Sequence, residues 1–335
     1  MTLDTSPPAR VLVTGSDGLI GRWVSDLLLS HGHDVVAIDK RDLVPERPGF
    51  RKYVLNILDA DALSAVVERE QPEAVVHLAA RTDLNGRTLA DYDDNTVGVE
   101  NVCEAIRAAG SVRRAVFTSS QLVCRVGYTP TSDTDYCPST PYGESKVRTE
   151  QIVRERDGGG ATWCITRPTT VWGPYMKPHY QRLLRHIQRG TYFHAGRGAL
   201  YKSYSFAGNI AHQNRQLVLA PAEDVHGRTF FLADYEPLSL RCYTNRIQEL
   251  LGARAIPTVP LPAARVLARA GDLVKAAGVS SFPFTTFRLT NIRTEYVLDL
   301  SETEAVCGPL PYTFDEGVRQ TVDWYLSLQE ERDGA

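Results

Sequence analysis

The chain has 335 residues, 43% of them hydrophobic and 23% charged, with a net charge of −3. That length can bury one large core or two smaller ones, and its scattered lysines and arginines make no phosphate track for nucleic acid. Cys103, Cys124, Cys137, Cys164, Cys242 and Cys307 form no CxxC pair and no metal-like spacing, so they read as reduced thiols. MTLDTSPPAR lacks the layout of a leader, and no apolar run approaches the roughly 18–20 residues that cross a bilayer. A soluble cytoplasmic protein with no membrane or nucleic-acid partner is expected.

In chain order, VLVT (11–14) reads as a strand. Ile20 to His31 follows as a helix, with Ile20, Trp23, Val24, Leu27 and Leu28 at helical spacing. DVVAID (34–39) is the next strand and Val54–Ile57 a short third. Asp59–Glu70 reads as a helix capped by Asp59. AVVHLAA (74–80) is a strand running into a loop, and Asn95–Ala109 is helical. Arg114–Thr118 and Thr162–Thr166 are strands flanking the helix Tyr142–Arg156. Such alternation predicts right-handed crossovers and a parallel sheet. Beyond residue 174 the pattern loosens. A helix fills 180–189, and 262–277 places Val266, Leu267, Ala270, Leu273 and Val274 on one face, read as a core or interface stripe.

TGSDGLIG (14–21) spaces Gly15, Gly18 and Gly21 three apart between a strand and a helix. Gly15 permits the tight turn, Gly18 lets a pyrophosphate approach the backbone, and Gly21 lets the helix pack on the sheet. The free N–H groups and positive end of the helix would face the phosphates. This is a dinucleotide fingerprint with a longer first gap. Asp39, at the end of the second strand, can accept from both ribose hydroxyls, which favours NAD. Lys40 and Arg41 could instead meet the 2′-phosphate of NADP.

Tyr142 and Lys146 stand at i and i+4 on a helix and face the same way. A nearby ammonium favours the phenolate and lowers a tyrosine pKa from about 10. Such a phenol can exchange a proton with a substrate hydroxyl. FTSS (117–120) ends a strand upstream, and a serine there could bond the same hydroxyl.

These pieces resemble the extended short-chain dehydrogenases/reductases, in the NAD-dependent epimerase/dehydratase branch. The resemblance is carried by TGSDGLIG, Asp39, VVHLAA, NTVGVENVCEA, FTSS, PYGESK and TRPTTVWGP, and runs on to PYTFDEGVRQTVDW (311–324). It implies a doubly wound parallel α/β sheet of the Rossmann type. Residues 1–174 would form the NAD(P)-binding domain and 175–335 mainly a smaller α/β substrate-binding region, with about 200–235 returning to the sheet. By likeness Ser120, Tyr142 and Lys146 form the catalytic triad. The cofactor would lie against Gly15, Asp17, Gly18, Leu19, Ile20, Gly21, Asp39, Lys40, Asn56 and Ile57. Further along it would meet Leu78, Ala79, Ala80, Asn95, Thr118, Tyr142, Lys146, Pro168 and Thr169. Thr82, Asp83, Ser120, Gln121, Thr170, Lys202 and Arg288 are substrate-side candidates, with Arg293 beside them.

Where many sugar-nucleotide members read V-Y-G, this chain has Cys124 in place of the tyrosine and Arg125 in place of the glycine. Gln121 and Leu122 stand where dehydratases carry an acid pair, which argues against a 4,6-dehydratase. Thr170 replaces a substrate-side asparagine, Lys202 a phosphate-binding arginine and Asn209 an aspartate. His179, His186 and His194 have no metal-like spacing, so no metal is expected. The resemblance implies a homodimer through the helices that begin near Asn95 and Tyr142. It also implies a nucleotide-sugar epimerase working through a transient keto intermediate, with a reductase or dehydrogenase of a keto-sugar nucleotide or steroid-like alcohol as the alternative.

Overall fold

A computed structural model describes residues 9–178, 180–276 and 284–333. His179 lies outside the described residues. The chain divides into two units, residues 1–171, 205–235 and 299–312 in the first and 172–204, 236–298 and 313–335 in the second.

The first unit is built on seven parallel strands, β1 (Arg10–Thr14), β2 (Asp34–Asp39), β3 (Phe50–Val54), β4 (Ala74–His77), β5 (Arg114–Thr118), β6 (Thr162–Pro168) and β7 (Thr229–Leu232). Their order is β7-β6-β5-β4-β1-β2-β3. The order reverses at β1, and in an open α/β sheet that switch point is where a ligand binds, beyond the carboxyl ends of the strands. Central strands are buried on both faces, so they read as continuous Val/Ile/Leu runs.

Helices cover both faces. α1 (Leu19–Ser30) and α5 (Ala207–Leu219) pack on one, where Val24, Leu28, Ile210 and Leu217 join Val13, Val76 and Val116. α2 (Ala60–Glu70), α3 (Val97–Ala109) and α4 (Pro141–Glu155) cover the other, where Leu63, Val102, Ile106 and Ile152 meet Leu12, Val75, Phe117 and Ile165. Asp59 caps α2 by accepting from the Ala62 amide at 3.1 Å.

Three elements differ from expectation. The third strand is Phe50–Val54 rather than Val54–Ile57, because its register with β2 pairs Phe50 with Val35 and Val54 with Asp39. It is the edge of the sheet, where Arg51 reaches solvent and Lys52 is buried against Asp17, and these two charges interrupt the apolar signal. β4 stops at His77 because the Leu78 and Ala79 amides turn to Thr14. α3 begins at Val97 after a 3₁₀ segment, Leu89–Asn95.

In the second unit, short strand pairs join helices Gln181–Gln188, Leu240–Leu250, Leu261–Ala276, Thr286–Arg293 and Phe314–Asp333. Of the stripe expected over 262–277 as core or interface, the core alternative does not hold: Val266 is 67% and Leu273 73% exposed. The buried face is Ala264, Ala268 and Gly271, small residues that let the helix close on Leu289 of Thr286–Arg293. Backbone proximity, not side-chain size, selected that face.

Candidate active site

The glycine turn follows β1 directly. Gly15 has φ +71° and its amide donates to the Ile38 carbonyl at 2.7 Å. A Cβ there would lie 2.7 Å from the Ala79 nitrogen, and one on Gly21 would lie 2.2 Å from the Gly15 carbonyl oxygen. Neither position accepts a side chain. Gly18 is the N-cap of α1, which has no side-chain cap and no acid in its first turn. Leu19 and Ile20 open the helix with their amides beyond the reach of an i−4 carbonyl. The buried Ser16 hydroxyl beside them has no partner among the described residues. Uncapped donors, an orphan hydroxyl and a turn held tight by glycines fit a pyrophosphate.

Asp39 closes β2 and is buried. Burial works to raise its carboxyl, but the Arg41 side chain, the Arg41 amide and the Asp17 amide together hold it below the ordinary carboxylate range. The Asp17 amide donates to it at 3.0 Å. The Asp17 carboxylate does not join it: it is buried against the Lys52 ammonium at 2.7 Å and accepts from the Leu43 amide at 2.8 Å. Lys40 pairs with Asp94 at 2.7 Å and Arg41 with Asp39 at 3.1 Å. Both cations that could meet a 2′-phosphate are thus engaged by carboxylates.

Of the remaining cofactor-side candidates, Ile57 is buried in the core under Gly98. Asn56 is exposed and its side-chain oxygen accepts from the Leu58 amide at 3.1 Å. Leu78 and Ala79 both donate to the Thr14 hydroxyl at 3.2 Å, and Ala80 follows, half-buried. Asn95 is fully buried and clasps the loop: it accepts from the Arg81 amide and donates to the Arg81 carbonyl and the Ser145 hydroxyl. Its side chain braces the loop against α4. Pro168 ends β6, and the Thr169 hydroxyl lies 2.6 Å from that of Ser205.

β5 delivers Thr118, Ser119 and Ser120. The Lys146 ammonium, buried on α4, donates to the Thr118 carbonyl at 2.9 Å. Burial pushes the Lys146 ammonium down to about 8, with Glu150 opposing. Tyr142 is one helical turn earlier, 7% exposed, with its ring 5.9 Å from that of Tyr92. Ser120 caps the turn Gln121–Val123 by accepting from the Leu122 amide at 3.1 Å, which leaves its hydrogen to donate. The Gln121 side-chain oxygen and the Ser119 hydroxyl are buried without partners among the described residues. At the start of α4, a Cβ on Gly143 would lie 2.4 Å from the Leu122 carbonyl oxygen. The bare glycine lets the helix bearing Tyr142 close on the turn after Ser120.

Asp83 pairs with Arg81 at 2.9 Å, and Thr82 and Thr170 are exposed. Lys202 and Arg288 belong to the second unit. There the Lys202 ammonium donates to the Asn291 carbonyl and side-chain oxygen, and burial pushes it down to about 8. Arg288 is exposed. His186 and His194 bond Thr191 and Asn245, and no three His, Cys, Asp or Glu side chains among the described residues group as metal ligands.

Two features were not singled out from the sequence. His77, at the end of β4, is 2.8 Å from the Thr14 hydroxyl through Nδ1. That hydroxyl already accepts from Leu78 and Ala79, so its hydrogen goes to Nδ1 and the ring carries its own on Nε2. Burial, then the charge of Lys146, pushes this imidazole down to about 3. The second is a buried ion pair: the Arg167 guanidinium on β6 grips Glu150 of α4 at 2.8 and 2.7 Å. Tyr136 donates to the same carboxylate at 3.0 Å, and Arg167 reaches the Asp133 carbonyl. The signals were a histidine inside the apolar strand VVHLAA and an arginine inside TRPTTVWGP.

A parallel sheet with its order reversed at a glycine turn, and a Tyr–Lys pair beside it, defines a dinucleotide-dependent α/β enzyme. The chain belongs to the NAD dependent epimerase/dehydratase family, whose model matches residues 11–230. It is an NAD(P)-dependent enzyme of the extended short-chain dehydrogenase/reductase type, and NAD is the family's cofactor. It is 29% identical over 270 residues to a 3 beta-hydroxysteroid dehydrogenase/Delta 5→4-isomerase of Mycobacterium tuberculosis, covering 75% of this chain and 71% of that one. It is 24% identical over 327 residues to the N-acetyl-alpha-D-glucosaminyl-diphospho-ditrans,octacis-undecaprenol 4-epimerase of Escherichia coli, covering 94% and 95%. Its fold is similar to that of the Thermus thermophilus UDP-glucose 4-epimerase in complex with NAD (TM-score 0.71, 20% identity, covering 95% of this chain and 99% of that one). No helix among the described residues is long and apolar enough to cross a membrane.

Proposed function

We propose that the protein interconverts a secondary alcohol and its ketone with NAD, using Tyr142 as acid and base, and that it does so as a nucleotide-sugar epimerase. The observation that carries the proposal is the buried Lys146 ammonium, held 2.9 Å from the Thr118 carbonyl one helical turn from Tyr142. Gly15, Gly18 and the first amides of α1 would hold the pyrophosphate, and Asp39 the adenosine ribose. Thr118, Pro168 and Thr169 would border the nicotinamide. When bound, NAD supplies the hydride acceptor and donor.

The protein's own part is protonic. Lys146 stabilises the phenolate of Tyr142, which takes the proton of the substrate hydroxyl at Oη. Ser120 donates to the same substrate oxygen and fixes its direction. The buried, unpartnered Gln121 oxygen is an acceptor for a neighbouring substrate hydroxyl. Return of the proton from Tyr142 restores the alcohol. The long coverage of the diphospho-undecaprenol epimerase supports an inversion that consumes no cofactor.

A net dehydrogenase is the second reading, favoured by Lys202: an ammonium whose hydrogens already go to Asn291 is a weak anchor for a diphosphate. The steroid dehydrogenase relative points the same way. One experiment separates them. The purified protein is denatured and its released dinucleotide measured, then the native protein is given nucleotide sugars or a hydroxysteroid. Inversion without net NADH supports the epimerase, and NADH accumulation supports the dehydrogenase. Unchanged turnover in Tyr142→Phe would overturn both. In this proposal the protein is a homodimer that pairs through α3 and α4.

A further inference from the structure

We propose that Cys124 and Cys137 form an oxidisable dithiol that a hydroperoxide converts to a disulfide. Both cysteines are free in the structure. They face each other across a parallel bridge: the Cys137 amide donates to the Val123 carbonyl at 3.0 Å, and the Cys137 carbonyl accepts from the Arg125 amide at 2.7 Å. In that pattern Cys124 lies directly opposite Cys137. Opposed residues of a parallel pair sit roughly 5 Å apart at Cα with side chains on one side, inside the window a disulfide requires. The Cys137 amide also faces the Cys124 sulfur, and the two thiols interact electrostatically.

The two sulfurs are unequal, and the inequality orders the chemistry. Cys137 is partly exposed, and the Arg125 guanidinium donates to its Sγ at 2.8 Å. The partly exposed sulfur is the one a hydroperoxide reaches first, and the same guanidinium can donate to the peroxide oxygen as it departs. Cys124 is buried, and its thiol donates to the Asp135 carbonyl at 3.3 Å. Burial pushes it upward, so it attacks second.

The Cys137 thiolate attacks the peroxide: an S–O bond forms, the O–O bond breaks, and the departing alkoxide takes a proton to leave as alcohol. Cys137 is now a sulfenic acid. The Cys124 sulfur then attacks that sulfur, an S–S bond forms, the S–O bond breaks, and hydroxide leaves with the Cys124 proton as water. Two thiols surrender two electrons and the peroxide accepts them. Cys103, Cys164 and Cys307 are buried thiols pushed up to about 12, and they stay reduced. Cys242 is exposed and marks the rate of an ordinary surface thiol.

The loop closed by the bond lies between Ser120 and Tyr142. Any effect on turnover rests on the roles proposed for those two residues, whereas the cross-link does not. The test treats the full-length protein with limiting tert-butyl hydroperoxide, quenches with an alkylating agent and maps peptides by mass without reduction. The expected result is a Cys124–Cys137 cross-linked peptide lighter by two hydrogens, restored by dithiothreitol. Cys124→Ser should stop at a sulfenic acid on Cys137, trapped by dimedone. Arg125→Gln should slow cross-linking roughly 10-fold. Oxidation of Cys242 with Cys124 and Cys137 still alkylated, or cross-linking at wild-type rate in Arg125→Gln, would overturn the proposal.

Discussion

Tyr142 and Lys146 share one face of α4 because a helix places i and i+4 together, and the carbonyl of Thr118 fixes the lysine. Tyr142→Phe removes the proton acceptor alone, so kcat should fall by roughly 10²–10⁴-fold with NAD binding unchanged, read by single-turnover kinetics and dinucleotide titration. Lys146 loses its charge as pH rises through about 8. With that charge gone the phenolate loses its stabilisation, so activity should decline on the alkaline side of about 8. Lys146→Met should remove that limb. His77 acts in the other direction. Its folded value of about 3 lies below the ordinary 6.5. Between these values the unfolded chain binds a proton that the folded chain refuses, so stability falls as pH drops through that window and is flat above it. Denaturant melts at pH 4 and pH 7 should show a smaller difference in His77→Asn than in wild type. The places of the glycines, Asp39, Tyr142 and Lys146 in the fold were legible because each sits in a local pattern. Asn95 and Asp17 were legible as positions but not in orientation, since their side chains are fixed by Arg81, Ser145 and Lys52, partners remote in sequence.

At the scale of elements, α4 is tied to β6 by the buried Arg167–Glu150 pair. Removing one member leaves an uncompensated charge in a dry place. Glu150→Gln should therefore cost about 3–5 kcal/mol in urea unfolding, far more than loss of the exposed pair between Arg246 and Glu249. Most strands and helices were legible from periodicity, because the central sheet buries both faces and reads as unbroken apolar runs. β3 was misplaced because an edge strand carries charges. The helix 261–276 was read on its large side chains, whereas packing chose its small ones. Sequence pattern reports which residues prefer burial; it does not report which face two backbones can approach.

For the whole molecule, the parallel sheet followed from alternating strands and helices, whereas its doubly wound order came only with the family resemblance. The substrate side did not follow from such alternation, because residues beyond 174 carry short strands and irregular connections with no fixed period. On the outer surface of α3 and α4, Arg148 reaches Glu100 at 3.9 Å and Val97 is 42% exposed. If these helices pair with those of a second copy, light scattering at micromolar concentration should give twice the 37.1 kDa chain mass. A folded species of single mass would contradict the dimer.

The bare Cα of Gly143 against the Leu122 carbonyl sets a limit on how this enzyme can change. With no atom to spare between them, the turn behind the serine and the first coil of the tyrosine's helix behave as a single gauge block. Residues inserted into the excursion from 124 to 137 would bulge outward without altering that gauge. Divergence toward a new substrate must therefore leave this spacing as it stands.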